Sequence, residues 1–240
     1  VPLALAPEAL ARLGALRVFF GRRSVGRDIL DGVIDLMTEE PRLRLLLIET
    51  PEPRSVNVPG LVHTAIGRNG DADSKIEHFA RVVESELADG TVALFELCYV
   101  DMTPRTDPDA LFDRYRTRLD ALPRVRPGVR VIHTTMALHG DPSRRRRVLD
   151  AVRGRTSERE LNARRTRFNE LLRTTYGFSA PLYDLAAIES TRDDGTRLRT
   201  WMDGCAVESL DWASSWDGGH LNVAGRRRAA AELLRLLSTL

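Results

Sequence analysis

"LRVFFGRRSVGRDILDGVIDLMTEE", Leu16 to Glu40, decides the fold class. Its first six residues, Leu16 to Gly21, are mostly apolar and stop at glycine, the mark of a short buried strand. From Val25 the pattern changes, and Val25, Ile29, Val33, Leu36 and Met37 recur near helical spacing. A buried strand running straight into an amphipathic helix is the unit from which parallel sheets are built. Ser24 sits at the joint.

The same alternation continues outward. Arg42–Thr50, Thr91–Asp101, Gly128–Met136 and Pro181–Glu189 read as further strands, rich in Val, Ile, Leu and aromatics and bounded by Gly, Pro and polar clusters. Between them lie helical patterns. In residues 74–87, Ile76, Phe79, Val83 and Leu87 share a face. In residues 107–122 an aspartate precedes Leu111, Tyr115, Leu119 and Leu122. In residues 157–177, Ser157 and Glu160 form a capping box and Gly177 is the stop. Residues 222–237 close the chain as a last helix. No internal repeat or low-complexity linker divides residues 1–240. The expected fold is one α/β domain in three layers, α/β/α, around a five-stranded parallel sheet.

Composition narrows the function. The chain is 42% hydrophobic and 29% charged, with a net charge of +2, so no global basic field points to nucleic acid. Arginine supplies the basic side, because Lys75 is the single lysine. The run Arg144–Arg147 is read as a solvated helix face, with an anionic contact as the alternative. Two cysteines, Cys98 and Cys205, make neither a disulfide framework nor a zinc site, and no metal or organic cofactor is expected. No apolar run is long enough to span a membrane. The opening stretch lacks a basic segment and a long apolar core, so a cytoplasmic location is expected over secretion, with an N-terminus processed or trimmed.

In open parallel sheets, ligands bind beyond the C-terminal strand ends. Three places there carry candidate chemistry. The first is Ser24. Taken alone it reads as a helix N-cap. It is also placed to be a nucleophile with helix-start amides beside it for an oxyanion. The second is "DGGHLN", Asp217 to Asn222. A serine hydroxyl needs a base, His220 suits that task, and Asp217 can orient the imidazole across the Gly-Gly turn. Taken alone, the stretch reads equally as a glycine turn with an incidental histidine. The third is "IGRNGDADSK", Ile66 to Lys75, where Gly67, Asn69 and Gly70 can offer donors to an oxyanion. Its alternative is a tight turn capped by Asp71 or Asp73.

Serine after the first strand, a Gly/Asn loop after the second, and D-x-x-H-L-N before the last helix form an ordered set. Together they resemble the SGNH/GDSL hydrolase superfamily from about Leu16 to the end, with "DGGHLNVAGRRRAA" and Ser24 carrying the resemblance. The resemblance implies a flavodoxin-like SGNH fold, with Ser24 as nucleophile, His220 as general base and acid, and Asp217 as orienting acid. Two blocks depart from the family pattern. Arg22-Arg23-Ser24 stands where Gly-Asp-Ser is usual, and "CYVD", Cys98 to Asp101, stands where Gly-x-Asn-Asp is usual. The expected oxyanion hole is therefore Ser24 N–H with Gly67, Asn69 and Gly70, and Asp101 matches the trailing family aspartate.

Arg22 and Arg23 could bind a carboxylate or phosphate on a substrate, or pair with Asp28 or Asp31, and they are carried with Asp101 as candidate substrate-binding residues. His133 reads as a core histidine and His78 as exposed on a helix, while His63 and His139 lie near strand ends. Glu189 could reach the active edge, with Asp184 on the same strand. The expected activity is hydrolysis of a small acyl ester, such as an O-acetyl group, on a small molecule or glycan. An acyltransferase using the same triad, or a binding protein on the same scaffold, are the alternatives.

Overall fold

The structure, a computed structural model, describes residues 3–143, 145, 149 and 152–240. The Arg144–Arg147 run lies, apart from Arg145, outside the described residues. Helix α1 (Pro7–Ala15) leads into strand β1 (Arg17–Arg22), which runs into α2 (Ser24–Glu39). The central sheet adds β2 (Leu47–Glu49), β3 (Gly60–Ala65), β4 (Thr91–Phe95) and β5 (Arg130–Val131), in the order β2-β3-β1-β4-β5 and parallel throughout. The five-stranded parallel sheet is thus present, with β1 at its centre.

Two of its details differ from the sequence reading. Gly60–Ala65 was not read as a strand, because His63 and Thr64 interrupt its apolar run. Both are nevertheless buried, and His63 is tied by its ring nitrogen to Arg22 on the neighbouring strand, Nε to Nδ1 at 3.3 Å. The Pro181–Glu189 run is a strand only at β7 (Leu182–Tyr183), which pairs with β6 (His133–Thr134) in a separate ladder. Asp184 ends it by accepting the Ala187 amide at 3.0 Å, which starts a short helix over Leu185–Glu189.

The sheet is covered on both faces. Successive residues of a strand point to opposite sides, so Val18, Phe20, Val92 and Leu94 enter one core while Phe19, Ala93 and Phe95 enter the other. The first core is closed by α2 and the C-terminal helix Val223–Leu237. Gly32 lets those two helices touch, since a Cβ there would lie 2.2 Å from the Arg226 carbonyl oxygen. The second core is closed by α3 (Ala72–Ser85), α4 (Pro108–Leu119) and, after the short turn α5 (Leu122–Val125), the long helix α6 (Glu158–Tyr176). The short helix Leu185–Glu189 is then α7 and the C-terminal helix α8, with the hairpin β8 (Arg199–Met202) and β9 (Cys205–Glu208) between them. The Ser157–Glu160 capping box forms as read. Among the described residues no helix is long and apolar enough to cross a membrane.

Candidate active site

Ser24 is the first residue of α2, directly after the C-terminal end of the central strand. The N-cap position is Arg23, and the Ser24 hydroxyl does not cap the helix. Among the described residues its hydroxyl makes one side-chain hydrogen-bond contact, with the Cys98 Sγ 3.9 Å away. Cys98 is buried, and that burial, with Glu96 nearby, pushes its thiol up to about 12. At neutral pH the sulfur is a thiol, so it does not compete as a nucleophile.

The start of α2 is capped from across the sheet. Glu96, fully buried just past β4, accepts the Arg23 amide at 2.6 Å and the Gly26 amide at 3.4 Å through one oxygen. Its other oxygen has no partner. Burial pushes this carboxyl upward, partly offset by Lys75. Sequence reasoning missed Glu96, and its signal was a lone acid inside the apolar run "ALFELC". Once Glu96 holds Arg23 and Gly26, the Ser24 and Val25 amides remain as first-turn donors without an intrahelical acceptor.

Asp217 and His220 form a closed local unit. One Asp217 oxygen accepts the Gly219 and His220 amides, each at 2.8 Å, and the other meets His220 Nδ1 at 2.7 Å. Burial raises this carboxyl, but the His220 amide, the imidazole and the Gly219 amide outweigh it and hold it at about 2. The two glycines are required by their neighbours. Gly218 has φ +92°, and a Cβ there would lie 2.6 Å from the Trp212 ring. A Cβ on Gly219 would lie 2.4 Å from Tyr99. The Tyr99 ring also meets the His220 imidazole edge-on, centroids 5.9 Å apart. With Nδ1 committed to Asp217, Nε2 is the nitrogen left for proton transfer. No hydrogen bond joins Ser24 Oγ to His220, but α2 and the histidine turn touch through Asp28, which accepts the Leu221 amide at 2.9 Å.

The expected oxyanion donors separate. Gly67 N–H donates to His78 Nδ1 at 3.1 Å, and Gly70 N–H donates to Asp101 at 2.9 Å. Both amides are spent on holding their own loop, which corrects their assignment as free donors. His78 is consequently half-buried rather than exposed. Asn69 is exposed at the loop tip between them. The substrate-binding assignments are corrected as well. Arg22 is buried and pairs with Glu49 at 2.5 Å rather than with Asp28 or Asp31. Arg23 Nε donates to the Ile66 carbonyl at 2.7 Å. Asp101 is fully buried against Lys75, Nζ to Oδ2 at 2.6 Å, and also accepts the Cys98 amide. The only lysine of the chain therefore ties the Gly70 loop to the Cys98 turn from inside. Glu189 is buried too, its carboxylate accepting the Leu138 amide at 2.6 Å, and it does not reach the open edge. His133 is a core residue, bonded to Tyr115 and stacked on Tyr176.

Beside Asp217 opens a cavity of about 560 Å³ whose walls include His139, Pro142, Arg155, Glu158 and Trp212. Among the described residues no cluster of three or more His, Cys, Asp or Glu side chains could hold a metal ion.

No family model and no curated protein matches the sequence. Solved structures do. A GDSL-like lipase from Bacteroides thetaiotaomicron VPI-5482 superposes with a TM-score of 0.51 at 12% identity, over 94% of this chain and 89% of the lipase. The native aryl esterase of M. smegmatis superposes with a TM-score of 0.51 at 12% identity, over 94% of this chain and 100% of the esterase. The chain shares the three-layer α/β/α fold of these two structures, built on a five-stranded parallel sheet. At this identity the likeness speaks for the fold alone.

Proposed function

We propose that this chain is a serine ester hydrolase that works through an acyl-enzyme. The observation that carries the reading is the Asp217–His220 pair, 2.7 Å apart, on a turn anchored to the helix that begins with Ser24. His220 Nε2 takes the Ser24 proton as Oγ attacks the ester carbonyl. The Ser24 amide, unspent at the helix start, stabilises the oxyanion, and Asn69 is the side-chain donor within the neighbouring loop. His220 then protonates the leaving alcohol and activates the water that releases the acyl group. The cavity beside Asp217, walled in part by the Trp212 indole, borders the triad on its Asp217 side, and we assign it to the part of a small acyl ester that extends away from Ser24.

The test is labelling with a fluorophosphonate, read by intact mass on wild type and Ser24→Ala, with p-nitrophenyl acetate turnover alongside. One adduct that disappears in the variant is expected. Wild-type turnover in Ser24→Ala would overturn the nucleophile assignment. A folded protein that takes no adduct would favour a binding role on this scaffold.

A further inference from the structure

Asp28 has no place in the triad, yet its side chain joins the helix that begins with Ser24 directly to the turn that carries His220. It follows Ser24 by four residues, so both lie on the same face of α2, one turn apart. Its Oδ2 accepts the amide of Leu221, the residue after His220, at 2.9 Å across 193 positions of sequence. Asp217 and Ser215 hold the turn from within, and the Gly140 amide donates to its Gly218 carbonyl at 2.6 Å. Nothing internal to that turn fixes how far it stands from Ser24.

We propose that Asp28 is a positioning residue: its carboxylate clamps the His220–Leu221 turn onto the helix that carries Ser24. The inference rests on the Ser24–His220 reading given above. The charged groups around Asp28 are His220 on the turn, Asp31 on its own helix, Arg226 on α8 and Glu189 on α7. Arg226 is already paired in both directions with Asp35, 2.7 and 3.0 Å, so His220 is the cation-forming group left to Asp28. Partial burial holds the Asp28 carboxyl up at about 6, against the pull of the Leu221 amide and His220. The clamp is therefore fully charged only well above that pH.

Two variants separate geometry from charge. Asp28→Asn keeps an oxygen to accept the Leu221 amide and removes the charge. Asp28→Ala removes both. At pH 8, fluorophosphonate labelling of Ser24 is expected to slow about tenfold or more in Asp28→Ala and to stay within about threefold of wild type in Asp28→Asn, because misplacement costs more than lost charge once the base is neutral. In Asp28→Asn the acid limb of the labelling profile moves to lower pH, since removing a neighbouring negative charge makes the imidazolium less favourable. The His220 imidazole resonance, followed by NMR against pH, moves the same way and does not depend on turnover. Wild-type rates and an unmoved imidazole titration in both variants would overturn the proposal. If wild type itself takes no label, the Ser24 reading fails, and the imidazole titration still decides whether Asp28 faces His220.

Discussion

The two turns that meet at this site are built in opposite ways. The turn carrying His220 is held largely by its own residues, with the Asp28 carboxylate and the Gly140 amide as ties from outside. Asp217 binds Gly219 and His220, Ser215 accepts the Gly218 amide and donates to the His220 carbonyl, and Asn222 caps α8 through the Gly225 amide. The turn carrying Ser24 is held almost entirely from elsewhere. Glu96 grips the Arg23 amide from 73 residues away, the Ile66 carbonyl takes Arg23 Nε from 43, and Arg22 reaches His63 and Glu49 on two neighbouring strands. A local turn keeps its shape wherever the chain puts it. A turn held by the sheet has the right shape only when the whole sheet is assembled.

That contrast has measurable consequences. The largest concern the local turn, to which the proposed function assigns the general base and its orienting acid. His220→Ala is expected to lower p-nitrophenyl acetate turnover by about 10⁴-fold or more, and Asp217→Ala by less, with an unfolding midpoint close to wild type in both. Full turnover in His220→Ala would remove the turn from the mechanism. Next comes Asn69, on the loop that Arg23 ties to the nucleophile turn. Asn69→Ala is expected to lower turnover by about a hundredfold, the scale of one lost oxyanion donor. An unchanged rate would leave the oxyanion to the helix-start amides. Glu96 reverses the pattern. Glu96→Ala removes the acceptor of the Arg23 amide and a fully buried carboxyl, and is expected to cost about 1–3 kcal/mol in urea unfolding, while Glu96→Gln keeps an acceptor and costs less. If Glu96→Ala were no more destabilising than Asp217→Ala, the two turns would not differ in kind.

The same difference governs how much was legible in the sequence. Asp217, Gly218, Gly219 and His220 solve a local problem, so the reach of Asp217 to the imidazole could be read from their spacing, while the Gly219 and His220 amides that Asp217 also accepts were not foreseen. The helices were legible for the same reason: caps and periodicity are local. Glu96, Lys75 and Asp101 solve a problem between strands, and nothing in their immediate sequence says what they face. Arg22 and Arg23 beside the serine looked like substrate ligands because their partners, Glu49 and the Ile66 carbonyl, come from other strands. Strand Gly60–Ala65 was hidden similarly, since a polar residue in a strand is accepted only when a neighbouring strand satisfies it.

The smallest effect separates the two turns by pH. His63 lies buried on β3 and accepts Arg22 Nε, so it must be neutral on that nitrogen. Burial and then Arg22 lower its imidazole to about 4 in the folded protein, against about 6.5 when unfolded. Between those values the unfolded chain binds more protons, so the stability His63 allows is complete above about pH 6.5 and declines as pH falls toward 4, by at most about 3 kcal/mol. Protonation also turns the ring from acceptor into a second cation against Arg22, which loosens the strand end that leads to Ser24. The Asp217 carboxyl, held at about 2, stays ionised through the same window and keeps the histidine turn intact. His63→Gln retains an acceptor without titrating, so the fall in Tm from pH 7 to pH 4.5 should become shallower, with buried His133, also lowered to about 4, supplying the remainder. An unchanged slope in His63→Gln would mean that the strands under Ser24 are no more acid-sensitive than the turn opposite them.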